Sequence, residues 1–528
     1  MKYVRIDLQG AYREIGPQVA GLGSISMDET FRFDHFMETV AKIIKAKAVK
    51  RVLVVRGSDF SLLPFGALEA VRSQLKRLVD AGKKVHYCAS DYDLVDCCLS
   101  SVCTKRIVHP LGSVTFFGIA RGGLFFKQLL EKYRIKAEVT RRGRYKSAGD
   151  PFRTESFDEF NREQWQRVLD LTVAELRKTV EQAPGFSADA LDELLSGKLL
   201  TAPQAVERGI VQQALSAEDL TYAWKQEKVK RKKIAKPKGK YGRGKKIAVL
   251  VFEGAIVEGK SRMDPLIGQA VGDRPMVKQI RKLREDKRTK AVLFRINSGG
   301  GSAIASESIV KELKLLAQKK PLIVSMGPVA GSGGYWISAA GERLFAQPTT
   351  ITGSIGVIHL HFQLDEALSA YGIATDVVKH GKSADFGSSM RAMDDQEKEA
   401  LEGFIEALYQ EFIRRVADVR SLKPETVHTL GEGRLWLGRD ALEHGLIDEL
   451  GDLQDALDYL KGRLGFKRMK VVFLPKIKQP LISRMFQGKP SDAVYMASDP
   501  VRIVKSCMDL QSTPLLLEPW WYSGFTVY

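Results

Sequence analysis

The chain has 528 residues, 44% of them hydrophobic and 27% charged. That is an ordinary globular balance with length for about three or four domain-sized units, and it excludes collagen-like, wholly disordered and disulfide-scaffold classes. The formal charge is +19, but Lys228 to Lys246 alone supplies eleven Lys or Arg in nineteen residues without an acid, leaving +8 for the rest.

The chain opens Met1-Lys2-Tyr3-Val4-Arg5-Ile6-Asp7-Leu8, where charges interrupt any apolar leader. Arg51–Gly57 is an apolar run of strand length, Ala67–Ala81 has helical spacing, and Lys84–Ala89 is again strand-like. Five cysteines follow the composition rather than a framework: Cys88, Cys97, Cys98, Cys103 and Cys507 are odd in number and lack paired C-x-x-C spacing. They read as buried free thiols in a reducing compartment. Glu163–Gln182 is a long amphipathic helical pattern. The basic run, with Pro237, Gly239, Gly242 and Gly244, then reads as a solvated linker. Its charge also suits an anionic membrane surface, whereas specific nucleic-acid binding is not expected because no base-reading motif accompanies it.

The same order then recurs: strand Ala291–Asn297, helix Ser306–Gln318, strand Pro321–Ser325 and long helix Asp395–Arg420. Pro321 to Gly341 is 21 residues without a charge, enough to span a bilayer, but its five glycines make it buried strand and turn. Alternating strands and helices predict βαβ units around a largely parallel sheet. The recurrence is a duplication. Pro110, Tyr133, Ile135, Val139 and Gly143 match Pro348, Tyr371, Ile373, Val377 and Gly381 at an offset of 238, and Gly197, Ala205 and Gly209 match Gly433, Ala441 and Gly445 at 236. The expected organisation is a first repeat over 1–225, a basic linker over 226–246, a second repeat over 247–465, and a tail over 466–528. The tail's Pro519-Trp520-Trp521-Tyr522 reads as a core or subunit contact.

Candidate chemistry is concentrated in the second repeat. Asn297-Ser298-Gly299-Gly300-Gly301-Ser302 follows a buried strand, and its glycines let the backbone approach a ligand and offer N–H groups to an anion or oxyanion. It is neither a P-loop nor G-x-G-x-x-G. Ala330-Gly331-Ser332-Gly333-Gly334 places a serine between small residues, where a sharp turn exposes Oγ and the Gly333 N–H faces a developing oxyanion. A Ser-Asp-His triad through His380, His428 or His444 is conceivable on a parallel sheet, but the duplicated architecture argues against it. His359 and His361 share one strand face and read as structural, so no metal or cofactor is expected. The first repeat has Leu94 where Ser332 stands, and Asp59 and Phe60 where Gly299 and Gly300 stand, so only one copy carries this chemistry.

Together with Thr352-Gly353-Ser354-Ile355-Gly356, Gly143-Arg144-Tyr145-Lys146-Ser147-Ala148 and Gly433-Arg434, these runs resemble the long, two-domain members of the signal peptide peptidase A (protease IV) family of Ser/Lys peptidases. The resemblance spans about residues 2 to 465, with Gly299 where the family usually has proline. It implies tandem ClpP/crotonase-like α/β domains with mainly parallel sheets and helical arms. It also implies a nucleophile at Ser332, oxyanion donors at Gly333 and at Gly300 or Gly301, a general base at Lys146 and a lysine-holding hydroxyl at Ser354. A lysine base must be neutral near pH 7, which burial favours. Lys382 is the rival base, but it stands one residue after Gly381, whereas Lys146 stands three after Gly143. The implied assembly is a homotetramer acting on signal-peptide remnants or other extended, unfolded chains. Two alternatives remain: a crotonase-fold CoA-thioester enzyme such as a biotin-dependent carboxyltransferase, and an inactive scaffold. With no anchor in view, the expected location is cytoplasmic or peripheral to a membrane.

Overall fold

The computed structural model describes residues 1–16, 30–61, 64–116, 118–183, 186, 188–264, 267–476, 515–516 and 524–527. Cys507 and Pro519-Trp520-Trp521-Tyr522 lie outside them.

Two parallel sheets organise the chain. The first runs, in spatial order, Gln213–Ala214, Lys105–Val108, Lys84–Ala89, Val49–Arg56, Lys2–Leu8 and Lys230–Arg231. The second runs Glu449–Leu450, Leu344–Ala346, Leu322–Gly331, Thr289–Ser298, Lys245–Glu253 and Met469–Leu474, and adds Lys240–Gly242 antiparallel at its edge. Strand for strand the second order repeats the first. The duplication, the parallel α/β sheets and the helical arms expected of tandem ClpP/crotonase-like domains are all present.

The elements follow from local sequence with small boundary shifts. Asp395–Arg420 is a helix because its apolar side chains recur at three- and four-residue spacing and Asp394 caps it, accepting from Glu397 N at 2.8 Å. Glu159–Glu181 is started the same way by Asp158, which accepts from Asn161 N. The strand expected over Pro321–Ser325 runs on to Gly331. Its glycine-rich end reads locally as loop, but Val329–Gly331 pairs with Ile351–Gly353, a partner supplied from a distance. In the strand Lys245–Glu253, Ile247, Val249 and Val251 face the core shared with the first repeat, while Ala248, Leu250 and Phe252 face the second repeat's helices. Both faces of this strand are covered, as a parallel sheet requires. No helix among the described residues is long and apolar enough to cross a membrane. Cys88, Cys97, Cys98 and Cys103 are buried free thiols.

Two segments outside the repeats join the sheets. Within 226–246, Lys230–Arg231 extends the first sheet, and Glu38 accepts from Lys238 N and Lys240 N at 2.7 and 3.0 Å, docking the segment on the first repeat. Within 466–528, Met469–Leu474 stands beside Lys245–Glu253 as Lys230–Arg231 stands beside Lys2–Leu8. Both pairings depend on distant strands, which short basic or mixed sequences do not announce.

A charged cluster joins the repeats at the carboxyl ends of the second sheet. Arg295, fully buried, donates to Glu14 at 3.0 Å and to Ser325 Oγ and the Met326 carbonyl. Glu14 N donates to both oxygens of Glu253 at 3.2 Å, and Asn297 Nδ2 donates to Glu253 at 3.3 Å. Burial pushes the Glu253 carboxyl up to about 7, with Arg13 pulling the other way and Glu14 adding to the rise. Between the ordinary carboxylate range and 7 the folded protein therefore holds a proton that the unfolded chain releases. Stability falls as pH rises through that window. In Glu253→Gln this loss is absent, so its stability relative to the parent should improve between pH 5 and pH 8 by on the order of 2–3 kcal/mol. Urea unfolding at both pH values measures this; an unchanged difference between parent and variant overturns it.

Candidate active site

Two adjacent parallel strands end in register and each delivers a serine. Gly331 of Leu322–Gly331 pairs with Gly353 of Ile351–Gly353, so Ser332 and Ser354 leave the same sheet edge side by side. Both turn sharply, with φ of 54° at Ser332 and 52° at Ser354, a backbone region that L-residues seldom adopt. Such strain costs about 1–3 kcal/mol and persists only where surroundings hold it. Here Ser332 N donates to the Gly353 carbonyl at 2.8 Å, Ser354 N donates to the Arg434 carbonyl at 2.8 Å, and the Ser332 carbonyl accepts from Trp336 N.

Lys146 arrives from the first repeat. Its Nζ lies 2.7 Å from Ser332 Oγ, 2.7 Å from Ser354 Oγ and 3.0 Å from the Ser354 carbonyl oxygen. All three residues are fully buried. The lysine is carried by the turn after the strand Lys136–Arg142, which pairs antiparallel with Val357–Gln363 of the second repeat from Lys136↔Gln363 to Arg142↔Val357. Tyr145 N donates to the Glu432 carbonyl at 2.9 Å. Arg141 donates to the Lys146 carbonyl, and Gln164 donates to the Tyr145 carbonyl at 3.0 Å. Arg434 stacks over the Tyr145 ring at 4.0 Å and pairs with Glu163 at 2.8 Å. Gly433 is pressed against the lysine backbone: a Cβ there would lie 2.6 Å from Lys146 N and 2.7 Å from its Cα.

The glycine loop closes the third side. A Cβ on Gly333 would come within 3.2 Å of Gly300 Cα and of Gly301 N, so the turn after Ser332 abuts the Gly300–Gly301 backbone. Gly300 N donates to Ser298 Oγ at 3.2 Å, and its carbonyl accepts from Ile256 N at 2.8 Å. Gly300 and Gly301 have φ of 112° and 148°, which explains glycine at both positions. Chemically, the site holds a hydroxyl, an amine in contact with it, and a glycine-lined backbone packed beside the hydroxyl's turn.

The residues singled out from sequence thus separate into two groups. Ser332, Lys146, Ser354, Gly333, Gly300 and Gly301 come together. Lys382 does not: it is exposed and its Nζ donates to Gln396 at 3.0 Å. His380 is exposed, His428 faces Tyr409 at 3.1 Å, and His444 lies edge-on to Trp436. His361 is buried, His359 partly so, and no cluster of three metal-ligating side chains occurs among the described residues. Sequence reasoning missed the clamp of Tyr145, Glu163, Gln164, Glu432 and Arg434 around the lysine. Tyr145, beside the lysine, and the Gly433-Arg434 pair were the available signals, and they carried no role because each has its partner in the other repeat.

A family model described as Peptidase family S49 matches residues 77–231 and 314–467, two segments at nearly the repeat's own offset. A protein named Protease 4 from Salmonella typhi is 32% identical over 465 residues, covering 84% of this chain and 74% of that protein. The chloroplastic serine protease SPPA of Arabidopsis thaliana is 29% identical over 434 residues, covering 79% of this chain and 64% of that one. Protease 4 of Haemophilus influenzae is 31% identical over 425 residues, covering 74% and 66%. This chain therefore spans 64 to 74% of the length of these relatives. Among solved structures, ClpP1 from Listeria monocytogenes matches 40% of this chain and 94% of its own, at 17% identity and a TM-score of 0.26.

Gly433→Ala tests the fit of the lysine turn. Gly433 has φ of 77° and no room for a Cβ, so the lysine backbone must move. The expected outcome is a stability loss of about 1–3 kcal/mol and at least roughly tenfold slower labelling of Ser332 by a fluorophosphonate. Parent-like labelling would remove Gly433 from the positioning of Lys146.

Proposed function

The chain belongs to peptidase family S49, a family of serine peptidases, and from that premise we propose that it cuts peptide bonds with a Ser332–Lys146 dyad through an acyl-enzyme. The observation that carries this reading is the 2.7 Å contact between Lys146 Nζ and Ser332 Oγ, buried and assembled from both repeats. A neutral amine has two N–H donors and one lone pair. In the neutral form the proposal requires, the Ser354 carbonyl and Ser354 Oγ take the two donors and leave the lone pair for the Ser332 hydroxyl 2.7 Å away. Burial favours the neutral form of such a lysine.

In the proposed reaction Lys146 takes the Ser332 proton as Oγ attacks the peptide carbonyl. The oxyanion forms against the N–H of Gly333 and one from Gly300 or Gly301. Collapse expels the amine, which takes the proton from Lys146, and leaves an ester on Ser332. Water, deprotonated by the same lysine, then hydrolyses the ester. Ser354 keeps the amine aimed through both transfers.

The proposed substrates are extended or unfolded peptides, signal-peptide remnants among them. One feature supports an extended backbone. Residues 515–516 of the chain lie as a strand between Gly301–Ser302 and Val357–Gln363, antiparallel to both, beside the oxyanion loop. A peptide adding a strand at this place would gain main-chain hydrogen bonds with little sequence demand. We also propose a homotetramer as the working assembly, and peripheral contact of the basic segment 228–246 with anionic lipid.

Fluorophosphonate labelling with mass mapping, alongside peptide turnover, tests the dyad. The label should map to Ser332. Lys146→Ala should cut turnover by about 10²–10⁴-fold with the fold retained, and Lys382→Ala should match the parent. Full turnover in Lys146→Ala overturns the base assignment. A folded parent that takes no label and cleaves no peptide overturns the peptidase reading and makes CoA-thioester binding the next assay.

A further inference from the structure

The run Asn297-Ser298-Gly299-Gly300-Gly301 contains a hydroxyl that the proposed reaction leaves without a part. Ser298 is buried, and its Oγ accepts from Gly300 N at 3.2 Å. A bulge puts it there. The strand Thr289–Ser298 pairs with Leu322–Gly331 in even register as far as Ile296↔Met326, then shifts so that Ser298 faces Ala330. Such a shift bends a strand and re-aims the side chains beyond it. Here it carries Ser298 alongside the nucleophile turn. A Cβ on Gly334 would lie 2.4 Å from the Ser298 carbonyl oxygen and 3.4 Å from Ser298 Cβ.

The directions of the loop's peptide groups follow from these contacts. The Gly300 N–H is taken by Ser298 Oγ, and the Gly300 carbonyl accepts from Ile256 N at 2.8 Å. A trans peptide points its N–H opposite its carbonyl. With the Gly300 carbonyl turned toward Ile256, the Gly301 N–H turns away from it, and Gly301 N lies 3.2 Å from where a Cβ on Gly333 would stand. Gly300 is therefore pinned on both sides, although two glycines with φ of 112° and 148° have wide conformational freedom.

The first repeat supplies an internal comparison. It has a serine at the matching place, Ser58, directly before Asp59 and Phe60, and that serine is exposed. The N–H of Phe60, in the place of Gly300, donates to the Gly57 carbonyl at 3.2 Å. The N–H of Ser61, in the place of Gly301, donates to the Gly10 carbonyl at 3.3 Å. In that copy main-chain carbonyls take both donors. In the copy that carries Ser332, a side chain takes the first donor and the second is turned toward the Gly333 backbone.

We propose that Ser298 is a positioning residue for the oxyanion. By holding the Gly300 N–H, its hydroxyl fixes the Gly300–Gly301 peptide with the Gly301 N–H aimed at the oxygen that becomes negative as Ser332 attacks. The proposal rests on the acyl-enzyme reading above and deepens it. The Ser298 hydroxyl touches no reacting atom. Without it the Gly300 N–H would be buried and unpaired, a costly state that the glycines relieve by turning it back to a carbonyl, as Phe60 does. A displaced oxyanion donor weakens transition-state binding and leaves substrate binding in place.

Steady-state peptide turnover by the full chain tests this. Ser298→Ala should lower kcat at least tenfold with KM within about twofold of the parent. The pH at which activity rises should stay where it is, because Lys146 keeps its own partners. Ser298→Thr keeps the hydroxyl and should restore kcat to within about threefold of the parent. Ser298→Cys keeps the size and weakens the acceptor, so its kcat should fall between those of the parent and the alanine variant. A parent-like kcat in Ser298→Ala, or in Ser298→Cys if the alanine variant does not fold, overturns the proposal. So does a loss carried by KM alone, or one that Ser298→Thr fails to reverse, since either leaves Ser298 with packing alone. A folded parent that neither cleaves peptide nor takes a fluorophosphonate label overturns the peptidase reading, and this proposal with it.

Discussion

A buried amine held between two serine hydroxyls and a carbonyl has to be placed to within a fraction of an ångström, and here it is placed from the other half of the molecule. Lys146 reaches Ser332 and Ser354 across the boundary between the repeats. Everything that joins the repeats therefore acts on the site. The strand pair Lys136–Arg142 with Val357–Gln363 sets the lysine turn at the right height, because a slip of one residue would invert every side chain. Gly433, Tyr145 and Arg434 then leave the turn one position. The Glu14–Arg295–Glu253 cluster ties the repeats at the base of the glycine loop.

Two copies of one domain have taken complementary parts. The second repeat keeps the glycine loop and the serine at strand ends, where a parallel sheet presents free backbone groups to a ligand. The first repeat has Leu94 and Phe60 at those places, and both are buried in its core. It contributes the lysine instead. The division places the hydroxyl, the amine and the glycine loop together at the junction between the repeats.

Much of the architecture was legible because its causes are local. Apolar runs of strand length, helical spacing and the caps at Asp158 and Asp394 mark elements within a few residues. The repeat offset, read from a handful of glycines, prolines and tyrosines, implied the matching strand orders. Illegible features were those whose partner is far away. Val329–Gly331 becomes strand only beside Ile351–Gly353, and the basic segment 228–246 is docked by Glu38 and by pairing with strands distant in sequence.

The residue types of the site, their order along the chain and the asymmetry between copies were determined by the sequence itself, since a serine among small residues, a glycine run and a lysine at a given register are facts of one dimension. Register along the chain favoured Lys146 over Lys382, but the contact itself exists only in the tertiary structure. Lys382 and Lys146 stand in similar short motifs, yet one is exposed beside Gln396 and the other is buried against Ser332. The difference arises because an amine 186 residues from its partner is positioned by strand register and packing between repeats, and no local preference encodes that distance.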